Sequence, residues 1–160
     1  MTPKQFVHAV EHALMPLADE AKAQGMKAYL LNQFEFLGLA APVRRAAVKE
    51  IGKVKWQSSA DLLAAAELLW QKPEREYRYT AVDLLRQHSA QLSVNELPAL
   101  QALLLQDAWW ETVDGLSAVI AEVMHATVQQ NPNAAATMDV WLKHPSHWVR
   151  RSAMLHQLGW

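Results

Sequence analysis

The sequence contains no cysteine, which removes a disulfide framework, thiolate metal sites and a thiol nucleophile together. Glycine is scarce, with five residues in 160. Neither a phosphate-cradling glycine loop nor a serine elbow is present. No apolar run approaches the roughly 18 residues that span a bilayer. The opening MTPKQFVHAVEH lacks a secretory apolar core, so a soluble, cytoplasmic protein is expected. No stretch sustains the period-two alternation of a strand. Neither sign of charge dominates, with 15 basic against 16 acidic residues and a formal net charge of −1. That balance argues against a general polyanion binder.

What remains is a helix-forming composition. Apolar residues make up 51% and charged residues 19% of the chain, as in ordinary globular proteins, so a single domain over residues 1–160 is expected. Alanine- and leucine-rich runs favour helix. Thr2-Pro3 opens a first helix that Gly25 is expected to close, and a short helix through Tyr29 and Phe34 follows, ending at Gly38. Ala41-Pro42 starts another, to about Lys55. Ser58 and Ser93 head capping boxes, and Pro73 starts the helix between them. Asp107 is placed as the cap of a helix from about Trp109 to Gln129, and helices over about 134–143 and 146–157 complete the chain.

The connections are short and the pattern repeats. Leu69–Pro73 overlies Leu104–Ala108 at an offset of 35 and Trp141–Pro145 at an offset of 72. A helix-pair repeat of this period, without the tetratricopeptide signature, predicts an all-α, right-handed α-α superhelix of HEAT-like antiparallel helix pairs. In that register Tyr79, Asp114 and Arg151 are equivalent. Arg75, Trp110 and Trp148 stand about one turn before them, so one exposed strip of these side chains is expected.

Two basic clusters stand out: Arg44, Arg45, Lys49, Lys53 and Lys55 against Glu50 alone, and Lys143, Arg150 and Arg151 with no acid from 140 to 160. They suit either an anion-binding face or a merely solvated one. Adjacent Trp109 and Trp110 point about 100° apart on a helix, so one is expected in the core and the other at a groove. Trp110 with Asp114 makes an aromatic-lined carboxylate suited to a cation, and Arg151 a site for a neighbouring anion. An alkylated purine nucleotide fits that description, and so do many peptides. His8 with His12, and His144 with His147, have metal-compatible spacing but no convergent third ligand. No metal or cofactor is expected.

These motifs resemble the AlkD-like DNA alkylation repair glycosylases, which are built of HEAT-like repeats. The resemblance runs through FEFLGLAAPVRR (34–45), WQKPEREYRYTAVDLL (70–85), DAWWETVDGLS (107–117) and WVRRSAMLHQL (148–158). It implies Asp114 as catalytic carboxylate, Trp110 as cleft tryptophan, Arg151 as phosphate contact and Tyr29 as cleft tyrosine. Trp109 from the WWxxVD motif, with Arg45 and Arg150 from the basic clusters, joins the expected DNA-binding set. The implied reaction is release of cationic N3- or N7-alkylpurines from duplex DNA, with the lesion left stacked against a cleft. Members of the family run longer, which suggests a truncated chain with an apolar end, MLHQLGW, open to self-association. The alternative is a non-catalytic helical-repeat module that binds DNA or a protein.

Overall fold

The structure, a computed structural model, describes residues 1–159; Trp160 of the expected apolar end lies outside them. Among the described residues the fold is all-α. Its one extended pairing is an isolated bridge between Glu35 and Glu74, and no helix is long and apolar enough to cross a membrane. The chain resolves into two compact units, Met1–Leu84 and Leu85 onward.

The first unit holds α1 (Pro3–Leu14), α2 (Glu20–Tyr29), α3 (Ala41–Val48), α4 (Ser59–Trp70) and most of α5 (Arg75–Gln87). Thr2 and Gln5 form a reciprocal capping box at α1, and Ser58 accepts the Asp61 amide hydrogen bond at α4. Phe6, Val10 and Leu14 recur every fourth residue on α1 and are at most 1% exposed. Helix α1 packs against α4, whose Leu62, Ala66 and Leu69 are likewise fully buried, and each fully buried leucine contributes roughly 1.5–3 kcal/mol. Glu11 of α1 is paired with Lys72 just past the end of α4.

Three boundaries differ from expectation in this unit. Helix α1 ends at Leu14, not at Gly25. Pro16 lacks the amide an α-helix needs, a 3-10 turn covers Met15–Leu17, and Asp19 caps α2 through the Lys22 amide at 3.1 Å. Gly25 lies inside α2, with open space around it. No helix runs through Phe34 to Gly38; that segment is irregular. Helix α3 stops at Val48, and a 3-10 turn over Ile51–Lys53 follows.

The irregular segment is held by a buried acid. Glu76 on α5 accepts amide hydrogen bonds from Leu37 (2.8 Å), Gly38 (2.7 Å) and Leu39 (3.0 Å). Gly38 has φ +92°, and a Cβ there would lie 2.0 Å from the Asp19 carbonyl oxygen. Only glycine fits.

The second unit holds the end of α5 and then α6 (Leu97–Leu104), α7 (Trp110–Gln130), α8 (Ala136–Trp141) and α9 (His147–Leu155). Ser93 and Glu96 form the expected capping box. Trp109, not Asp107, occupies the cap position of α7, and Asp107 sits in the preceding turn with φ +44°. Helix α7 packs against α6 and α9, and α8 packs on α9. Val113, Leu116 and Ile120 of α7, with Val149 of α9, are fully buried. Between α7 and α9 the buried hydroxyls of Ser117 and Ser152 meet at 2.9 Å.

Candidate functional site

Helices α7 and α9 bring two of the expected residues together. Asp114 projects from α7 one turn after Trp110, and Arg151 from α9 one turn after His147 and Trp148. The Arg151 guanidinium meets the Asp114 carboxylate side-on, Nε to Oδ1 at 2.7 Å and Nη2 to Oδ2 at 2.8 Å. Such two-pronged, charge-assisted pairs are the strongest common ionic contact. Both side chains remain open to solvent, 43% exposed for Arg151 and 36% for Asp114. The hydrogen bond to Asp114 raises the Arg151 pKa above its ordinary value, against a small opposing effect of burial. Arg151 therefore stays charged across the physiological range. At this exposure the pair adds only about 0.2–1 kcal/mol to stability.

Aromatic side chains precede both members of the pair by about one helical turn. Trp110 is 40% exposed and shares its helix face with Asp114. Trp109 is half-buried rather than core, its ring centroid 5.9 Å from that of Trp148. The His147 ring also lies against Trp148, tilted by 40° with centroids 4.5 Å apart. The sequence separated one core from one groove tryptophan; Trp110 is exposed as expected of the groove residue, whereas Trp109 is half-buried rather than core. Past Asp114 an open groove of about 400 Å3 continues along α7 and the end of α9, lined by Ser117, Ala121 and Leu155 and by the charged or titratable Arg86, Glu122 and His125. The groove itself has no tryptophan in its lining; the exposed Trp110 stands one turn before Asp114 on the same helix face, and an indole beside a carboxylate suits a flat cationic group.

Arg150 is placed differently from its neighbour. Its Nη1 donates to the carbonyls of His144 (2.7 Å) and Pro145 (2.8 Å), holding the link between α8 and α9. In the first unit, Arg45 donates twice to Asp83, through Nε at 2.9 Å and Nη2 at 3.2 Å. Buried Arg44 reaches the same carboxylate at 2.9 Å. Burial works against the Asp83 charge, yet hydrogen bonds and charge from Arg45 and Arg44 prevail and hold its pKa below the usual carboxylate range. Tyr29 closes α2 and is 75% exposed. Arg75, expected on the exposed strip, is fully buried, its guanidinium 3.5 Å from the centroid of the Phe34 ring. Tyr79, its partner on that strip, is half-buried beside Phe36, with ring centroids 6.5 Å apart.

Sequence reasoning missed the direct pairing of Asp114 with Arg151, although opposite charges at equivalent repeat positions, 37 residues apart, carried the signal. It also missed Glu76. No sequence signal marks that acid, since its partners are main-chain amides up to 39 residues away.

Comparison with known proteins places these residues in context. The family model described as DNA alkylation repair enzyme matches residues 10–160. A solved structure described as "Predicted DNA alkylation repair enzyme from Enterococcus faecalis" is similar over 88% of this chain at 32% identity, with a TM-score of 0.78. The chain spans 65% of the length of that protein. Among curated proteins there is no significant match.

Proposed function

This chain belongs to the DNA alkylation repair enzyme family, and we propose that it acts as a DNA glycosylase on cationic N3- or N7-alkylpurines in duplex DNA, with Asp114 as the catalytic carboxylate. The observation that carries this is the Asp114–Arg151 pair, solvent-accessible and one helical turn from an exposed tryptophan.

The chemistry follows from charge. An alkylpurine already carries a positive charge, so it leaves with the electrons of its bond to the sugar and becomes neutral, without a general acid. The sugar becomes oxocarbenium-like and needs a nearby anion; a carboxylate supplies it and orients the attacking water, as in glycoside hydrolysis. Trp110 offers a π-face that favours the cationic nucleotide over its neutral parent. Arg151 has two donor edges. Nε and Nη2 face Asp114, while Nη1 and the second Nη2 hydrogen face away, so one guanidinium registers a backbone phosphate against the carboxylate. An open groove suits a lesion that stays stacked.

Asp114→Asn tests the assignment. It keeps the shape of the side chain and removes the anion, and the exposed pair costs little to lose. Base release from an N7-methylguanine duplex should fall by about 10²–10³-fold, with the helical circular dichroism signal unchanged. Release at the wild-type rate would remove Asp114 from the chemistry.

A further inference from the structure

The groove that starts at Asp114 reaches a second arginine. Helix α7 carries Asp114 and, eight residues later, Glu122, which at 1.5 Å per residue lies about 12 Å further along the axis. There Arg86, from the end of α5, donates through Nε to Glu122 Oε1 at 3.3 Å. Arg86, Asp114 and Glu122 line one continuous groove, and all three belong to the second unit.

Arg86 is held far more loosely than Arg45, Arg150 and Arg151. Each of those makes two hydrogen bonds of 3.2 Å or less. Arg86 makes one, and a long one. Among the described residues neither of its Nη groups has a protein acceptor, and the side chain is 53% exposed. His125, the other side chain of the groove that can carry positive charge, is engaged by Gln129 at 2.8 Å. Arg86 is thus the cation that the groove offers to a ligand.

The floor between the two ends indicates the kind of ligand. It is built of Ala118, Ala121 and Leu155, and the Ser117 hydroxyl beside them is engaged by the Val113 carbonyl and the Ser152 hydroxyl. A peptide laid there finds no partner for its main-chain amides and carbonyls. A nucleic-acid strand instead rests its sugars on an apolar floor and carries its charge at the phosphates. The two Nη groups of Arg86 leave open the planar fork that matches a phosphate. We infer that Arg86 is a second phosphate contact of this groove, tempered by Glu122; this rests on the DNA-acting function proposed above. Phosphates of one strand follow each other at about 3.4 Å along the duplex axis, so the contact falls about three or four nucleotides from a lesion at Asp114. Such a contact positions the duplex without disturbing its stack.

Methylphosphonates placed one at a time in a duplex carrying N7-methylguanine test it, since each removes a single phosphate charge. For the wild type, substitution at about the third or fourth phosphate on one side of the lesion should weaken binding by about tenfold. Arg86→Gln should weaken binding of the all-phosphate duplex by a similar factor, lose nothing further at that position, and reduce the salt slope by about one. Glu122→Gln should do the reverse and tighten binding. The exposed pair adds only about 0.2–1 kcal/mol to stability, so both variants should melt within a few degrees of wild type. An unchanged salt slope and an unchanged methylphosphonate profile in Arg86→Gln would overturn the contact and leave the DNA-acting function standing. Weaker binding in Glu122→Gln would also overturn it, by showing that the duplex needs the intact pair rather than the arginine. Failure of the wild type to bind the alkylated duplex at all would sink both.

Discussion

Replacing Glu76 by glutamine changes one atom type and should unsettle the whole segment before α3. The carboxylate is fully buried, with Oε1 accepting from Leu37 and Oε2 from Gly38 and Leu39. A glutamine oxygen in the Oε2 place keeps two of these bonds, but its NH2 group then faces the Leu37 amide, donor against donor. One buried amide left unsatisfied costs about 1–3 kcal/mol, and loss of the ionic character of the other two bonds costs roughly 1 kcal/mol each. The expected loss is therefore about 3–5 kcal/mol. In a protein of this size each kcal/mol moves the melting temperature by about 2–4 °C, so a drop on the order of 10 °C should appear in thermal unfolding followed by circular dichroism. Glu76→Asp, one methylene shorter, should lose less because it keeps the charge. A drop below about 2 °C for Glu76→Gln would show that water or a shift of residues 37–39 satisfies the amides, and that the buried acid does not organise this turn.

Two further substitutions separate stability from binding. The lowered Asp83 pKa means that its charge stabilises the fold above the ordinary aspartate range, and that this contribution is lost as pH falls through the lower folded-state value. Asp83→Asn should thus cost roughly 3 kcal/mol at neutral pH, chiefly by isolating buried Arg44. Its deficit in urea unfolding should shrink towards pH 2; a deficit constant with pH would refute the ionic account. Arg151→Ala should weaken duplex binding and reduce the magnitude of the salt slope by about one. Because the pair is exposed, its melting temperature should stay within a few degrees of wild type; binding titrations across salt concentrations would expose an unchanged slope.

Helix starts were legible because caps are local chemistry: Thr2, Ser58 and Ser93 each bond amides within three residues. The repeat register was legible for a related reason, since equal spacing brings equivalent faces together. Asp114 meets Arg151, its equivalent in the next pair, at a separation of 37 residues. Helix ends were harder. Gly25 looked like a stop, but a glycine inside a helix costs only about 1 kcal/mol, whereas Pro16 removes an amide and clashes with the preceding turn. Arg75 was misplaced because repeat alignment fixes position along a helix, not what lies over it. Phe34, from the irregular segment, covers that guanidinium, and the path of that segment is set by Glu76 and Gly38 through contacts that no local pattern encodes.

The three arginines expected to hold an anion share one property: each already has a protein acceptor. Arg45 has Asp83, Arg150 has two carbonyls, and Arg151 has Asp114. A duplex that engages them gains only the difference between a phosphate and the partner in place, so charge contributes little to affinity for undamaged DNA. For the proposed chemistry that is an advantage, because the acid at Asp114 repels phosphate but attracts a cationic base. Selectivity then rests on Asp114 and the Trp110 face, which respond to the charge of the lesion. Arg151 links the two, since whatever draws its outer edge towards the backbone acts on the carboxylate held by its inner one.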